Sequence, residues 1–242
     1  MFEQRSAAEK DHASRVREMF GTIAKRYDLL NHLLSGNIDR RWRRLVAKRV
    51  RDRLSPGRRR ILDVACGTGD LSLTLFEFTG AHVTATDFCR PMLAIAARKT
   101  LHQTGDVKFV EGDALELPFL DRSFNAVTIG FGLRNLAAVE DGLKEFLRVL
   151  EPGGYLAVLE FSKPQTPGLR TLFQFYFKKL LPIMGGAISG SRSAYTYLPD
   201  SVQTFPDQNQ LASLITKVGF EEVSYENLTG GIAALHMGRR PE

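Results

Sequence analysis

The sequence predicts an α/β protein: a doubly wound, mostly parallel seven-stranded sheet with a helical N-terminal extension, an inserted helical segment and a C-terminal antiparallel hairpin. Three observations carry this reading. After residue 60, short apolar runs alternate with segments of helical spacing. The first apolar run, Ile61–Ala65, stops on Cys66-Gly67-Thr68-Gly69-Asp70. The tail then breaks the alternation with two β-rich runs around Gly230-Gly231.

Each element has its own local reason. Residues 14–54 carry helical spacing and read as two helices separated at Ser35-Gly36-Asn37. Strands follow at Ile61–Ala65, His82–Asp87, Val107–Glu111, Ala126–Ile129 and Tyr155–Glu160. Between them lie helices at Leu71–Phe78, closed by Gly80, and one opened by Pro91 with Met92, Leu93, Ile95 and Ala96. Val139–Leu150 is a helix that Glu151-Pro152-Gly153-Gly154 terminates. Glu221–Thr229 and the run to Arg240 flank Gly230-Gly231 as a hairpin on the sheet edge. Residues 1–60 thus form an extension and 61–242 the main domain, with a helical insertion at 163–206 that fits neither the alternation nor a linker.

Composition narrows the class. No run reaches the roughly 18–20 apolar residues of a membrane span, and the N-terminus lacks the apolar core of a secretory signal. Cys66 and Cys89 offer neither a disulfide framework nor zinc spacing, which points to a reducing, cytoplasmic compartment. Charge is uneven: residues 1–60 hold 17 Lys and Arg against 7 Asp and Glu, and the remainder 16 against 20. A basic front end on a near-neutral body implies an anionic partner, nucleic acid or a phospholipid surface, unless it is simply a solvated helix face.

The glycine turn defines the ligand chemistry. In an open parallel sheet, ligands bind beyond the carboxyl ends of the strands. Gly67 and Gly69 let backbone approach a ligand at a helix start, and Asp87, 20 residues after Gly67, stands where an acid accepts from ribose hydroxyls. A dinucleotide fingerprint needs a third glycine, and that position is Ser72. Asp63 and Asp70 crowd the turn and would repel a pyrophosphate. Acids here suit a phosphate-free nucleoside with an amino group, such as S-adenosylmethionine.

Four segments resemble class I S-adenosylmethionine-dependent methyltransferases, in the right order. They are DVACGTGDL with ATDF, EGDALELPF, SFNAVTIGFGLRN and LRVLEPGGYLAVLEFS. The resemblance implies a Rossmann-like sheet and a cofactor site at Asp63, Gly67, Thr68, Gly69, Asp87, Phe88, Met92, Asp113, Ala114 and Gly130. More specifically, RYDLLNHLLSGNIDRRWRR and RVLEPGGYLAVLEFS are similar to both signatures of the demethylmenaquinone/ubiquinone C-methyltransferase family, and the match runs from about residue 14 to 238. Leu30, Asp39, Glu151 and Gly130 depart from that pattern, where methionine, histidine, lysine and often serine are usual.

The resemblance implies methylation of a prenylated quinol, demethylmenaquinol ahead of the ubiquinone precursor. Two rivals stand beside it: a methyltransferase with a soluble acceptor, and a nucleic-acid-binding protein using residues 40–60. No Ser-His-Asp set, activated cysteine or metal-ligand pattern is visible, so no metal is expected. Arg134 then becomes the candidate that stabilises a ring phenolate while water carries the proton away, with Asn135 orienting the ring oxygen. Tyr27, Asn31, Phe131, Tyr195, Tyr197 and Phe205 are the candidate substrate contacts, with Tyr27, Asp28 and Asn31 closing over the site. The apolar stretch Gly168–Gly186 and the cations Arg40, Arg41, Arg43, Arg44, Lys48 and Arg49 would meet a membrane surface. The resulting expectation is an enzyme without nucleic acid, peripheral to the inner face of the cell membrane, with a homodimer left open.

Overall fold

A computed structural model of the protein describes residues 6–55, 57, 59–100, 106–175 and 192–242. Seven strands form one sheet in the order β3-β2-β1-β4-β5-β7-β6. They are β1 (Arg60–Val64), β2 (His82–Asp87), β3 (Val107–Glu111), β4 (Phe124–Gly130), β5 (Leu150–Phe161), β6 (Glu221–Leu228) and β7 (Ala233–Arg239). The first five pair in parallel, and β7 inserts antiparallel between β5 and β6. Chain order reverses between β1 and β4, and that reversal opens a crevice at their carboxyl ends.

Helices α1 (Ala7–Ile23), α2 (Tyr27–Leu34) and α3 (Ile38–Arg51) precede the sheet. The two helices expected over 14–54 are therefore three, and the first starts earlier. Ser6 explains the start: its hydroxyl accepts from the Glu9 N–H at 3.2 Å while Glu9 accepts from the Ser6 N–H at 2.8 Å. A 3-10 turn at Ala24–Arg26 makes the extra break, and Gly36 and Asn37, both left-handed, make the expected one. Helices α4 (Asp70–Thr79), α5 (Arg90–Thr100) and α6 (Val139–Val149) alternate with the strands. Helices α7 (Pro167–Phe175), α8 (Arg192–Thr204) and α9 (Gln208–Val218) follow β5. Beyond Phe175 the apolar stretch expected to reach Gly186 lies outside the described residues.

One expected boundary is corrected. Glu151-Pro152-Gly153-Gly154 does not separate helix from strand but sits inside β5, where the register against β4 shifts between Phe124 and Ala126. Gly153, at φ 72°, takes up the irregularity as a bulge.

Side-chain alternation along β1 sorts the core onto two faces. Leu62 and Val64 join Leu143, Phe146, Leu211, Ile215 and Phe220 beneath α6 and α9. Ile61 joins Trp42, Val46, Leu71 and Leu75 beneath α3 and α4. Each fully buried leucine here contributes roughly 2 kcal/mol of transfer free energy. Asp63 points to the α4 side, so a carboxyl is buried there beside Ser72 and Thr128.

Candidate active site

The carboxyl ends of β1, β2, β3 and β4 surround a partly open cleft. Its wall contains Gly67 from the turn after β1, Asp87 and Phe88 after β2, Asp113 and Ala114 after β3, and Gly130 and Phe131 after β4. Met92 reaches it from α5, Tyr27 from α2 and Asn135 from the short turn that follows Gly132. Helix α1 closes the remaining side with Ala13, Val16 and Phe20. These three went unread in the sequence, where their only signal was the i, i+4 pair Val16 and Phe20.

Asp87 is buried yet faces the cleft. The Gly67 N–H donates to one carboxylate oxygen and the Cys89 N–H to the other, each at 2.8 Å. Burial raises its pKa, and the Cys89, Gly67 and Phe88 amides pull against that rise. The carboxylate is thus rigid, with lone pairs left for a vicinal diol. Gly112 shows the close fit beside it: a Cβ there would lie 2.7 Å from Thr86 Oγ1 and 2.9 Å from Pro118 Cδ. Thr86 Oγ1 is itself buried without a hydrogen-bond partner. At Gly130, where serine is usual in the resembled family, a Cβ would meet Leu71 Cδ2 at 3.0 Å.

Other residues expected to touch a cofactor stand behind the cleft wall. Asp63 is fully buried and accepts from Ser72 Oγ at 2.6 Å and Thr128 Oγ1 at 2.7 Å. Burial pushes its carboxyl up to about 6 against those two bonds, so it braces the turn from beneath. Thr68 donates to Asp28. Gly69 caps α4 in a left-handed conformation, φ 83°, with Phe109 pressed against the space a Cβ would take. Asp70 is spent on Lys99, 2.6 Å away, and is 3.5 Å from His32.

That last pair belongs to a charge network between the N-terminal helices and the turn. Asp39 accepts from His32 Nδ1 at 2.9 Å, Ser35 Oγ at 2.8 Å and Arg43 Nη1. Burial alone would raise its carboxyl, but Arg43, Ser35 and His32 outweigh that and hold it below the usual range. Lys99 bridges Asp70 and Asp28, each at 2.6 Å. Asp39, in place of the usual histidine, is the hub of this network and does not line the cleft.

After β4 the backbone is strained: Phe131 has φ 59°, and Ala65, beside it at the end of the adjacent strand β1, has φ 50°. Arg134 holds this turn. Its side chain is only 7% exposed, which excludes a surface role. Its Nη1 donates to Glu160 Oε1 at 2.8 Å and to the Phe131 carbonyl at 2.6 Å, and its Nε to Ser201 Oγ at 3.4 Å. The guanidinium also stacks over Phe161 at 5.5 Å. Arg134 does not line the cleft, whereas Asn135 does. The Tyr197 hydroxyl donates to Asn135 Oδ1 at 3.1 Å. His12 of α1, also unread in the sequence, is 3.2 Å from the Asn135 carbonyl.

The aromatic candidates divide. Tyr27 is in the cleft, its ring 3.9 Å from where a Cβ of Gly67 would sit. Burial raises its hydroxyl pKa, opposed by a hydrogen bond with Asn31 and by the charges of Arg134 and Arg43. Asn31 therefore supports Tyr27 and is not part of the cleft wall. Phe205 is corrected from substrate contact to core, because it packs with Leu62, Phe146 and Leu211. The side chain of Tyr195 lies outside the described residues. Burial pushes both thiols up, so neither Cys66 nor Cys89 is a ready thiolate.

Among the described residues no group of three His, Cys, Asp or Glu side chains is arranged to hold a metal ion. The donor set instead matches a nucleoside with a diol and no phosphate: a fixed carboxylate, a glycine turn and an apolar slot.

The ubiE/COQ5 methyltransferase family matches residues 7–240, nearly the whole chain. The chain belongs to this family. It is 51% identical to the demethylmenaquinone methyltransferase of Thermus thermophilus over 92% of this chain and 100% of that one. It is 42% identical to the ubiquinone/menaquinone biosynthesis C-methyltransferase UbiE of Azotobacter vinelandii, over 99% and 95% of the two chains. A crystal structure of an S-adenosylmethionine-dependent methyltransferase from Thermotoga maritima shares the fold, with a TM-score of 0.63 at 20% identity over 92% and 99% of the chains. The protein is an S-adenosylmethionine-dependent methyltransferase of this family.

Proposed function

We propose that the protein methylates a ring carbon of a prenylated quinol, demethylmenaquinol before the ubiquinone-precursor benzoquinol. One observation carries this. The cleft with its fixed Asp87 carboxylate occurs in a chain about half identical, over nine-tenths of its length, to a demethylmenaquinone methyltransferase. When bound, S-adenosylmethionine supplies an activated methyl group on a cationic sulfur. Asp87 would accept from its ribose hydroxyls and Asp113 from its exocyclic amine. Phe88, Met92 and Ala114 would flank the base, with Gly67 and Gly130 admitting backbone contact.

The chain's remaining work is to orient the acceptor and stabilise its oxyanion. A ring carbon becomes nucleophilic once a neighbouring hydroxyl is ionised. Asn135 is held at both ends of its amide, by Tyr197 and by the Phe131 carbonyl, and is aimed at the cleft to orient a ring oxygen. Tyr27 keeps its proton because its pKa is raised, and so donates to the oxyanion. Arg134 acts through position: bound to Glu160, it holds the 131–135 turn and adds its charge behind Tyr27 and Tyr197. The proton leaves to water. A polyprenyl quinol resides in a bilayer, so this reading also places the basic N-terminal helices against the inner face of the cell membrane.

The test is transfer of labelled methyl from S-adenosylmethionine to reduced demethylmenaquinone in membranes. Label is expected on the quinone ring carbon, lowered roughly 100-fold in Arg134→Ala with cofactor binding retained. Cofactor binding without label on any quinone would overturn the reading and favour a soluble acceptor.

A further inference from the structure

We propose that the open groove between α3 and the β6–β7 turn binds the phosphate headgroup of an anionic phospholipid. The proposal deepens the membrane contact of the preceding reading and rests on it for the bilayer as the source of the ligand. The groove is a wide, open concavity on the surface. Arg41, Arg44 and Lys48, spaced i, i+3 and i+7, share one face of α3 and form one wall. Asn227 and Thr229 stand on the opposite wall, and Trp42, Leu45 and Leu228 add apolar surface.

Ion pairing along α3 is uneven, and Arg40, outside the groove, is also without an ion pair among the described residues. Arg43, Arg49 and Arg51 are matched by Asp39, Glu226 and Asp52. Arg41, Arg44 and Lys48 are exposed and have no ion pair or hydrogen bond among the described residues. Three unmatched cations converging on one concavity complement a phosphodiester, at about 1 kcal/mol for each cation near an anionic surface. A nucleic-acid track would instead need cations spread along a phosphate backbone. Here they meet over apolar surface that suits glycerol and the first acyl methylenes. Helix α2, which leads directly into α3, exposes Leu29 at 61% and Leu33 at 52%, an apolar ridge fit for the same interface.

The groove also shares a wall with the cleft. Trp42 packs on Phe131 with ring centroids 6.0 Å apart, and Phe131 lines the cleft. A headgroup held in the groove therefore brings the cleft close to the bilayer that carries a prenylated acceptor.

The experiment is cosedimentation of the full chain with phosphatidylcholine vesicles, with and without phosphatidylglycerol. The groove variant Arg41→Gln/Arg44→Gln/Lys48→Gln is compared with Arg98→Gln/Lys108→Gln/Lys217→Gln, which removes equal charge elsewhere. Wild type and the second variant are expected to bind phosphatidylglycerol vesicles alike, and the groove variant on the order of 100-fold more weakly. Arg44→Gln alone is expected to weaken binding roughly fivefold, which guards against loss of fold in the triple variant. Equal weakening of both triple variants would overturn the groove in favour of overall charge. Full competition by glycerol phosphate would overturn it in favour of a free phosphate ester, and tighter RNA binding at the same residues would overturn it outright. Methyl transfer to a short-chain soluble quinol separates the two readings. The groove variant should retain it, while its absence from every protein with vesicle binding intact defeats the acceptor and leaves the groove standing.

Discussion

Asp87 shows how one side chain converts strand register into recognition. It ends β2 opposite the turn after β1, and two backbone amides hold its oxygens. Asp87→Asn keeps the shape but sets an amide hydrogen against one of those N–H donors. Cofactor affinity is expected to fall roughly 10- to 100-fold with little change in fold, read by calorimetric titration. An unchanged affinity would mean that the ribose is held elsewhere. Arg134 teaches the converse. Its place next to Asn135 made it a candidate beside the acceptor, but Glu160, on the adjacent strand β5, draws its guanidinium behind the wall.

At the scale of elements, α2 is tied to the cofactor turn by charge. Asp28 accepts from Thr68 and pairs with Lys99, which also grips Asp70 at the start of α4. Asp28→Ala removes the shared carboxylate and leaves Thr68 without its acceptor. Amide exchange in α2 is expected to rise several-fold, together with a several-fold higher KM for the cofactor, while α6 and α9 keep their protection. Uniform loss of protection would show general destabilisation instead of a loosened cover. Apolar spacing continues through Ala24–Arg26, whereas in the fold a 3-10 turn breaks the helix there, with Ile23 and Leu30 clustered beside Leu198.

Across the whole molecule, stability carries two opposed pH dependences. Asp63 titrates at about 6 when folded against 3.8 otherwise, so the folded state holds an extra proton between those values. Its contribution is therefore lost as pH rises through about 6. His236, buried with its pKa lowered, does the reverse: stability is lost as pH falls below its unfolded value of 6.5. Asp63→Asn isolates the first effect. The variant is expected to gain about 1–2 kcal/mol relative to wild type between pH 5 and pH 8, measured by denaturant unfolding. Parallel profiles for the two proteins would rule out a raised Asp63.

Taken alone, the sequence determined the alternation of elements, the hairpin on the sheet edge, the glycine turn and the ribose acid. These are local: they follow from period, from glycine conformations and from spacing along one βαβ unit. Tertiary structure alone decided which of the named residues meet. Asp63 and Thr68 went behind the wall because β1 alternates its side chains and α2 folds down onto the turn. Phe205 went into the core because α9 packs on α6. Residues Ala13, Val16 and Phe20 became part of the cleft because α1 folds back over α5. The Asp28–Thr68 contact joins positions 40 residues apart, and such geometry depends on how helices seat against a twisted sheet, which no short window of sequence encodes.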